Sequence, residues 1–547
     1  MMWIKRILNR VTIFTVVALF FVSLSATAAK RGGVSGFVRC GGKGVAGVVV
    51  SDGVNVTKTG KNGSYSLPAD SERAQFVHIS IPSGYEVSRN GSIPQFYGRI
   101  EQGVAKQTFN FDLTKVDQSR YTLMTMSDTH ILRGTSSAGC ILDVERYTTQ
   151  MIPEINDYAS KLGNPVYMVH LGDIGLRTSW KNKRGSYTLA DYVSDTKLNM
   201  PVFNTVGNHD HDIPKKGERF DDATVHHSRN TFHSAIGPSY YSFNIGSEHY
   251  VVLDNSFIIT SDSGPTQRED AVKGYQYRVD DVQMEWLKRD IAQIDKSRIR
   301  KIVVLVHCPI LLNNTQYRMM YAEKFLDSFK GYDVMILAGH SHADSSIRRI
   351  YNGKEMIQNV HASTSGTFWY TPWSCDGTPG GSVAYHFGGE KISRDYVAWG
   401  EAKGKKYLVY DNVNNKWNYR ISKFTGDGIT HYHDLIKAHV KNEAAVLVNV
   451  FGAYECSFTE STGGKGKATN KVYDLNFRDW HWAEFEKNMN GEAPEGHRVQ
   501  NASAQRPRKG APHTWRYIPA DPKAVITVEA KDVFGNVIAT FTTQAAN

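Results

Sequence analysis

The chain has 547 residues, of which 41% are hydrophobic and 22% charged, and its net charge is +10. These values are typical of a globular protein with several domains, and they exclude a disordered or collagen-like chain. Lysine and arginine are scattered with no run of five or more, which argues against a tail for long nucleic acids. The basic balance favours anionic ligands without choosing among nucleic acid, phosphate esters and acidic glycans.

The first residues have the pattern of a secretory signal peptide. Three basic residues, Lys5, Arg6 and Arg10, precede an apolar run from Val11 to Leu24, and Ala26-Thr27-Ala28 offers a cleavage site. We therefore predict that residues 1–28 are removed near Ala28 and that the protein is exported to the periplasm or secreted. A short N-terminal anchor is the alternative. The remainder has no apolar run of membrane length, so we expect no membrane span in the mature chain.

The cysteines do not form a recognisable framework. Their spacing is wide and includes no CxxC, which predicts neither a zinc site nor a disulfide scaffold; they are Cys40, Cys140, Cys308, Cys375 and Cys456. An odd number in an exported protein leaves at least one thiol free. Cys308 lies in an apolar strand context and is expected to be a small core residue.

The pattern of apolar residues divides the chain into three parts. Residues 34–115 alternate short β-rich runs with glycine turns, which predicts a small β-sandwich. Residues 120–395 alternate apolar runs with helical patterns, which predicts an α/β domain. Residues 403–547 return to strand-like runs with Gly and Asn turns, which predicts a second β-sandwich. Pro153 interrupts the first helical pattern of the middle part, where we expect a kink or break.

Polar side chains follow five of the six strand candidates in the middle part. The six runs are YTLMTM, PVYMVHL, PVFNTV, HYVVLD, KIVVLV and YDVMIL. The residues placed at or directly after the ends of five of them are Asp128 and His130, Asp173, Asn208 to Asp210, His307, and His340 with His342. Because ligands bind at the carboxyl ends of strands in open α/β sheets, these side chains predict a metal or phosphate site.

Each motif alone is weak, but the order of all five is specific. In this respect residues Tyr121 to Ile392 resemble the calcineurin-like metallophosphoesterase family, whose pattern is D-x-H, GD, GNH-D/E, a lone H and GH-x-H. The resemblance implies a four-layer α/β/β/α sandwich as the catalytic core. The three-part organisation is similar to that of an exported bacterial group in which two all-β sandwich domains flank the core, the first being immunoglobulin- or prealbumin-like.

The resemblance implies two divalent metal ions. Asp128, His130 and His342 would hold one ion, while Asn208, His307 and His340 would hold the other. Asp173 would bridge the two, because two ions about 3.5–4 Å apart need a shared carboxylate. Mixed imidazole and carboxylate ligands suit Mn, Fe, Zn, Ni or Co.

The same resemblance implies hydrolysis of a phosphodiester or small phosphomonoester by in-line attack of a metal-bridging hydroxide. His209, the non-ligand histidine of the family pattern, would protonate the leaving oxygen or stabilise the transition state. Asp210 would orient His209 through its other ring nitrogen. His211 and Asp212 have no counterpart in the pattern and are expected to be loop or supporting residues. The alternatives are a nuclease or nucleotide hydrolase, and a catalytically silent glycan-binding protein on the same scaffold.

Two further features concern the substrate. The aromatic, glycine-rich stretch from Ala362 to Gly381 predicts either a packed loop or a cleft wall, with Trp373 and Asp376 as substrate contacts. Leu176 stands where purple acid phosphatases place a tyrosine ligand and where protein phosphatases and the double-strand-break nuclease branch carry Asp or His, which disfavours all three groups. We expect a small phosphate ester whose remainder is a glycan, a nucleotide or a lipid headgroup.

Overall fold

The structure is a computed structural model. It describes residues 32–69, 73–131, 143–175, 187–212, 214, 218–259, 275–366, 369, 374, 376–413, 416–418, 420–426, 429–434, 438–439, 445–470 and 512–545. The predicted signal peptide, Cys140, Leu176, Trp373 and Cys375 lie outside these residues.

The N-terminal part is built from short strands, as its glycine-rich pattern predicts. The strands are β1 Gly32–Cys40, β2 Lys43–Gly44, β3 Val49–Ser51, β4 Val56–Lys58, β5 Ser64–Ala69, β6 Phe76–Ile79, β7 Tyr85–Val87, β8 Arg89–Asn90, β9 Ile93–Pro94, β10 Tyr97–Arg99, β11 Lys106–Thr108 and β12 Phe111–Lys115. One sheet has the order β11-β1-β12-β7, with β2 and β5 also on β1, and a second has the order β10-β6-β3-β4.

The middle part contains two larger sheets. Its strands are β13 Tyr121–Met126, β14 Val166–His170, β15 Val202–Asn204, β16 Tyr241–Ile245, β17 Glu248–Val252, β18 Ser256–Ile258, β19 Tyr275–Tyr277, β20 Lys301–Leu305, β21 Asp333–Ala338, β22 Ser345–Tyr351, β23 Lys354–Val360, β24 Gly381–Phe387 and β25 Ser393–Ala398. The first sheet has the order β15-β14-β13-β24-β25 and the second the order β16-β17-β20-β21-β23-β22. All six apolar runs of the sequence are strands.

The two sheets pack face to face with helices outside, which confirms the predicted layered α/β core. Alternate residues of β13 divide between the layers: Leu123 lies in the core between the sheets, and Met124 packs beneath the outer helices. In β21, Met335 and Leu337 face the inter-sheet core, while Ile336 faces the other helical layer. Strands buried on both faces read as continuous apolar runs, which is the pattern of the sequence here.

The helices of the middle part are short. They are Asp143–Glu145, Ile152–Ser160, Leu189–Asp195, Asn230–Ala235, Asp281–Ile291 and Ala322–Leu326. A π-helical turn, Arg146–Met151, joins the first two, and Pro153 lies in the first turn of the second. The backbone at Met151 and Ile152 is helical, so the chain stays helical through Pro153. The predicted break is therefore wrong, and the structure shows instead a change of helix type just before the proline.

The elements that the structure describes in the C-terminal part are strands. They are β26 Tyr407–Val413, β27 Lys416–Asn418, β28 Arg420–Gly426, β29 Ile429–Asp434, β30 Ala438–His439, β31 Val446–Val450, β32 Glu455–Glu460, β33 Lys467–Thr469, β34 Thr514–Ile518, β35 Val525–Lys531 and β36 Val537–Gln544. Sheets with the orders β30-β27-β26-β31-β34-β33 and β32-β35-β36 share one apolar core. Within residues 403–413, 416–418, 420–426, 429–434, 438–439, 445–470 and 512–545 this part is all-β, as its sequence predicts.

Both flanking parts contact the core. On the N-terminal side, Trp286 Nε1 donates to Ser51 Oγ at 3.1 Å, and Ile81 forms a β-bridge with Phe243.

Cys40, Cys308 and Cys456 are free thiols, and Cys308 is buried as expected. None of the helices in the described ranges is long and apolar enough to cross a membrane.

Candidate metal centre

The predicted ligands come together at the carboxyl ends of strands from both sheets. The loops after β13, β14 and β15 leave the first sheet, and those after β20 and β21 leave the second. Because neighbouring strands within each set are parallel, their carboxyl ends meet at one edge. The seven predicted ligands are all at this edge: Asp128, His130, Asp173, Asn208, His307, His340 and His342.

Three of these side chains form the first donor group. His342 Nε2 lies 3.1 Å from Asp128 Oδ1 and 2.9 Å from His130 Nε2. His130 Nε2 is 3.7 Å from the same Asp128 oxygen. Two imidazole nitrogens and a carboxylate oxygen thus face one another, which is a ligand set that divalent transition metals prefer.

A second donor group lies beside the first. His307 Nε2 is 3.1 Å from Asn208 Oδ1 and 3.2 Å from His340 Nδ1. Asp173 Oδ2 is 3.1 Å from His307 Nε2 and 3.8 Å from His130 Nε2, so this carboxylate faces both groups. That is the position that a bridging ligand requires.

The backbone at this edge is strained. Eight non-glycine residues among those described have a left-handed backbone, and five of them are predicted ligands: Asp128, His130, Asp173, His340 and His342. Such a conformation costs roughly 1–3 kcal/mol per residue and persists only where the surroundings enforce it. The strain therefore concentrates on the residues whose donor atoms converge.

Two motif glycines permit the loops to approach one another. A Cβ atom on Gly207 would lie 2.3 Å from Asp173 Oδ1, and one on Gly339 would lie 1.8 Å from Ser127 Oγ and 2.6 Å from Asp128 Oδ2. Any side chain at either position would displace a carboxylate ligand. The glycines of the GNH and GHSH motifs are thus required by close packing.

The charge of the site fits metal ions. Burial holds the pKa of His130 to about 4 and that of His340 to about 3, so both rings are neutral, the form that binds metal. Burial alone would lower the pKa of His307, but the Asp173 and Asp128 carboxylates raise it to about 10. The raised pKa means that His307 carries a proton, whose positive charge lies beside the two carboxylates. A divalent cation bound there would supply that positive charge instead. The donor set therefore fits two divalent metal ions.

Hydrogen bonds orient the ligands. His307 Nδ1 donates to Leu171 O at 2.8 Å, which directs Nε2 toward the site. Asp128 Oδ2 accepts from the His340 backbone N–H at 2.9 Å and from the Ser127 hydroxyl. Such supporting groups fix the ring orientation and tautomer of metal ligands.

A buried histidine outside the five motifs ties two of the loops together. Gly172 N–H donates to His170 Nδ1 at 3.1 Å, so the ring proton resides on Nε2, which lies 3.0 Å from Thr129 Oγ1. The Thr129 hydroxyl in turn donates to Ile174 O at 2.9 Å. The sequence alone gives no indication of this role, because His170 reads as part of an apolar run.

Two tyrosines that contact a predicted ligand, His340, were not identified from the sequence. The Tyr277 hydroxyl lies 2.7 Å from His340 Nε2, and the Tyr275 hydroxyl lies 3.4 Å from the same atom. Since Nδ1 of His340 faces His307, the phenols support the opposite side of the ring. The alternation Tyr-x-Tyr places both rings on one face of β19, and this is the signal that could have identified them.

His209 lies beside the first donor group, and its ring is close enough to His130 and Asp173 for these three to hold a metal ion, so its proton-transfer role stays a prediction. Its ring centroid is 5.0 Å from that of His130, and its side chain is half-buried. Its backbone N–H donates to Asp173 Oδ1 at 2.7 Å. The His209 ring is thus partly exposed while its backbone holds the central carboxylate.

The predicted role of Asp210 is corrected. Its Oδ2 accepts from the backbone N–H groups of Asp173 at 2.8 Å and Gly207 at 2.9 Å, and its Oδ1 accepts from that of Ile174 at 2.9 Å. The carboxylate is buried and holds the GD and GNH loops together. A sequence motif does not reveal hydrogen bonds to the backbone, which is why the steering of His209 was predicted instead.

The neighbouring His211 and Asp212 are supporting residues, as expected. His211 lies 2.8 Å from Ser228 Oγ and 3.3 Å from Asp254 Oδ1. Asp212 accepts from the Thr231 backbone N–H at 2.9 Å and from its hydroxyl at 2.6 Å. Both brace the segment that follows the GNH loop.

Asp376 does not occupy the position of a substrate contact. Its carboxylate is buried, and it accepts from Thr378 N at 3.0 Å, Asp344 N at 2.7 Å and His513 Nε2 at 2.9 Å. Both oxygens are thus engaged within the protein. Trp369 of the same stretch is also buried and donates to Thr129 O at 2.6 Å, so this residue packs against the D-x-H loop.

Comparison with known proteins gives consistent matches along the chain. Three family models match in order: the N terminal of calcineurin-like phosphoesterase over residues 32–116, calcineurin-like phosphoesterase over 121–344, and the C terminal of calcineurin-like phosphoesterase over 359–538. Purple acid phosphatase 15 of Arabidopsis thaliana is 29% identical over 171 residues. That match covers 29% of this chain and only 28% of the plant protein.

Solved structures with similarity include a dimetal phosphatase from Danio rerio, at 12% identity and a TM-score of 0.34, covering 52% of this chain and 98% of that one. A 5'-nucleotidase precursor from Thermus thermophilus has 15% identity and a TM-score of 0.28, covering 51% of this chain and 54% of that one.

Proposed function

Because the chain belongs to the calcineurin-like phosphoesterase family, we propose that it is an exported enzyme that hydrolyses a phosphodiester or a small phosphomonoester at a two-metal centre. The observation that carries this proposal is the position of Asp173, whose Oδ2 faces both donor groups at 3.1 and 3.8 Å. A site for one metal ion needs only one of these two donor groups, so the presence of both favours two ions.

Two bound metal ions would supply Lewis acidity and a water molecule acidic enough to act near neutral pH. The chain's own residues supply the rest. The three backbone bonds to Asp210 and the His209 N–H bond to Asp173 fix the central carboxylate. If two divalent ions were bound, the two carboxylates would offset only part of their charge, and the remaining positive charge would attract an anionic phosphate.

His209 is proposed as the proton donor to the leaving oxygen. It is half-buried beside His130, so its ring adjoins the ligand group and is partly open to solvent. General acid catalysis of this kind contributes roughly 10²–10⁴-fold to rate. Water attacks phosphorus directly in this scheme, and no covalent phosphoenzyme is formed.

A second candidate is hydrolysis of a nucleotide. Tyr275 and Tyr277 are half-buried beside His340, with ring centroids 6.0 and 5.2 Å from the imidazole. Aromatic rings next to a phosphate site suit a substrate that carries a base or a sugar beside its phosphate. A catalytically silent, glycan-binding protein remains the contrasting hypothesis, and turnover decides against it.

The test is metal analysis of the purified mature protein, followed by hydrolysis of bis-p-nitrophenyl phosphate, p-nitrophenyl phosphate and a panel of 5'- and cyclic nucleotides. Two metal ions per chain with turnover of a diester or monoester supports the proposal. Preference for nucleotides supports the second candidate. Two bound metals without turnover of any ester would refute both and favour the silent protein.

Export has its own test. The proposal rests on the pattern of residues 1–28, which predicts cleavage near Ala28. Mass spectrometry of the protein recovered from the periplasm and from the medium should give a chain that begins close to Ala29. A chain that keeps its first residues and stays with the membrane fraction would instead support the short anchor.

A further inference from the structure

A buried series of three side chains joins the C-terminal part to the core. Asn449 lies in β31, His513 directly precedes β34, and Asp376 belongs to the core loop after β23. His513 Nδ1 is 2.7 Å from Asn449 Oδ1, and its Nε2 is 2.9 Å from Asp376 Oδ2. All three residues are buried. The series is therefore an Asn–His–Asp contact across the boundary between two parts of the chain.

The hydrogen bonds determine the protonation of His513. Asn449 Nδ2 donates to Gly377 O at 2.9 Å, so Asn449 Oδ1 is the acceptor and His513 Nδ1 must carry a proton. Nε2 faces a carboxylate, which accepts, so it also carries a proton. Burial opposes this charge, but the Asp376 carboxylate raises the pKa of His513. His513 is thus an imidazolium paired with Asp376.

Asp376 also binds the residue that follows the GHSH motif by two positions, Asp344. Its Oδ2 also accepts the Asp344 backbone N–H at 2.7 Å. The Asp344 carboxylate forms a buried ion pair with Arg394, and Arg394 Nη1 donates to Gly452 O of the C-terminal part at 3.3 Å. Asp344 follows His342 by two residues. Both its backbone and its side chain are therefore held by groups that lead to the C-terminal part.

The GHSH loop, which these contacts hold, is also a loop with a strained backbone. His340 and His342 have φ values of 69° and 52°, and each belongs to a different donor group of the metal centre. A left-handed pair of this kind persists only when neighbouring contacts enforce it. The two ion pairs lie immediately beyond these ligands, where they can prevent the loop from relaxing.

We propose that His513 is a positioning residue for the metal centre, so that the C-terminal part completes the active site rather than merely flanking it. The link runs from His513 through Asp376 to the Asp344 backbone and thence to His342. Without it, the GHSH loop relaxes and the metals lose two ligands in their proper orientation. The activity readout rests on the proposed function, whereas the metal readout does not.

The molecule contains a matched control. At the start of β17, His249 Nε2 is 2.9 Å from Asp290 Oδ2, and its Nδ1 is 2.9 Å from Asn244 Oδ1. His249 and Asp290 are buried to a degree similar to His513 and Asp376. This second Asn–His–Asp series lies at the amino ends of the second sheet, whereas His307 follows the carboxyl end of neighbouring β20. It has the same chemistry without a connection to the ligands.

The experiment compares His513→Gln with His249→Gln in the mature full-length protein. The measurements are Zn²⁺ and Mn²⁺ affinity by chelator competition, thermal unfolding, and kcat and KM for bis-p-nitrophenyl phosphate. Loss of a group that orients metal ligands costs roughly 10–100-fold. We expect His513→Gln to weaken metal binding and lower kcat by that factor, with KM within about twofold of wild type. His249→Gln should lower thermal stability and leave metal affinity unchanged.

Equal metal affinity in His513→Gln and wild type would overturn the proposal, as would equal losses in the two variants. If His513→Gln does not fold, the pair Asp376→Asn and Asp290→Asn makes the same comparison with smaller changes in shape. A wild-type protein that binds two metals but hydrolyses no ester would refute the proposed function. The comparison of metal affinities would still decide the role of His513.

Discussion

The two ends of the core sheets bury polar groups in different ways. At the amino ends, Tyr121 donates to Glu248 Oε2 at 2.7 Å and also contacts Tyr250 at 2.7 Å, so each group is satisfied by its neighbour. At the carboxyl ends, donor atoms of the same kind face one another, as His130 and His342 do at 2.9 Å. Imidazole nitrogens and carboxylates that converge in this way are arranged for a cation. Burial of polar groups alone does not indicate a site.

The backbone makes the same distinction. The positive φ in the turn before β17 falls on a glycine, Gly246, whereas at the carboxyl ends it falls on five of the proposed ligands. Glycine adopts this conformation at little cost, but a side chain pays for it. Non-glycine residues with this conformation are thus concentrated at the end where the donor atoms must meet, although Asn352 in the turn between β22 and β23 also adopts it.

The largest effect is expected for Asp173, the carboxylate that faces both donor groups. Asp173→Asn should lower kcat by at least about 1000-fold and reduce bound metal, because the amide has no charge to bridge two cations. The matched change at the other end is Glu248→Gln, which we expect to leave kcat within about threefold. Metal analysis and steady-state kinetics measure both. Comparable losses in the two variants would contradict the contrast.

A change at His209 should distinguish metal binding from catalysis at the carboxyl ends of the strands. His209→Ala should lower kcat by roughly 10²–10⁴-fold while two metals stay bound, because the ring donates a proton and ligates neither ion. The measurement pairs metal analysis with kcat for p-nitrophenyl phosphate and for an ester with a poorer leaving group. The loss should be larger for the poorer leaving group. Loss of a metal ion from this variant would show that His209 is a ligand.

Tyr277 tests the support of a single ligand. Tyr277→Phe removes the hydroxyl that lies 2.7 Å from His340 Nε2 and should weaken metal binding roughly 10-fold. The Co²⁺-loaded protein offers a second readout, since its visible absorption responds to the ligand field at His340. Tyr250→Phe, at the amino ends, is the control and should change neither property. An unaltered metal affinity and spectrum in Tyr277→Phe would show that the phenol is dispensable.

The smallest effect concerns stability where strand β6 of the N-terminal part packs on the helix Asp281–Ile291 of the core. His78 packs against Trp286 with ring centroids 6.2 Å apart, and burial lowers its pKa to about 4 from the ordinary value of 6.5. Between these values the unfolded chain binds a proton that the folded chain excludes, so stability falls as pH falls from about 6.5 to 4. The loss amounts to at most about 3 kcal/mol.

The measurement is the free energy of unfolding by denaturant at pH 7 and pH 5 for wild type and His78→Phe. We expect wild type to lose more stability than the variant over this interval, because the variant has no ring to protonate. Equal losses would mean that His78 does not contribute to the acid sensitivity.

Much of the fold and the ligand set can be predicted from the sequence, and the reasons are specific. Strands buried on both faces leave unmistakable apolar runs, so β13, β14, β17, β20 and β21 are evident. The ligands follow because they stand where these runs end. The sequence does not show that these strands belong to two sheets, because the apolar runs of the first sheet and those of the second have the same composition.

The corrected residues, Asp210 and Asp376, share one property with Tyr277, which sequence reasoning did not identify: their partners are backbone atoms or distant side chains. Asp210 binds three backbone N–H groups, and Asp376 binds His513, which is 137 residues away. Tyr277 contacts a histidine 63 residues away. Residue type and local spacing do not reveal the partners of Asp210 and Asp376, so only the folded structure assigns their roles, whereas the Tyr-x-Tyr alternation of β19 could have pointed to Tyr277.

The central claim is that the carboxyl ends of the two sheets form a two-metal hydrolytic centre. The most direct measurement is a titration of the metal-free protein with Zn²⁺ or Mn²⁺, in which bound metal and hydrolysis of bis-p-nitrophenyl phosphate are followed together. We predict that activity develops as the second equivalent binds and that Asp173→Asn abolishes it. Full activity with one equivalent, or binding of two without hydrolysis of any phosphate ester, would contradict the claim.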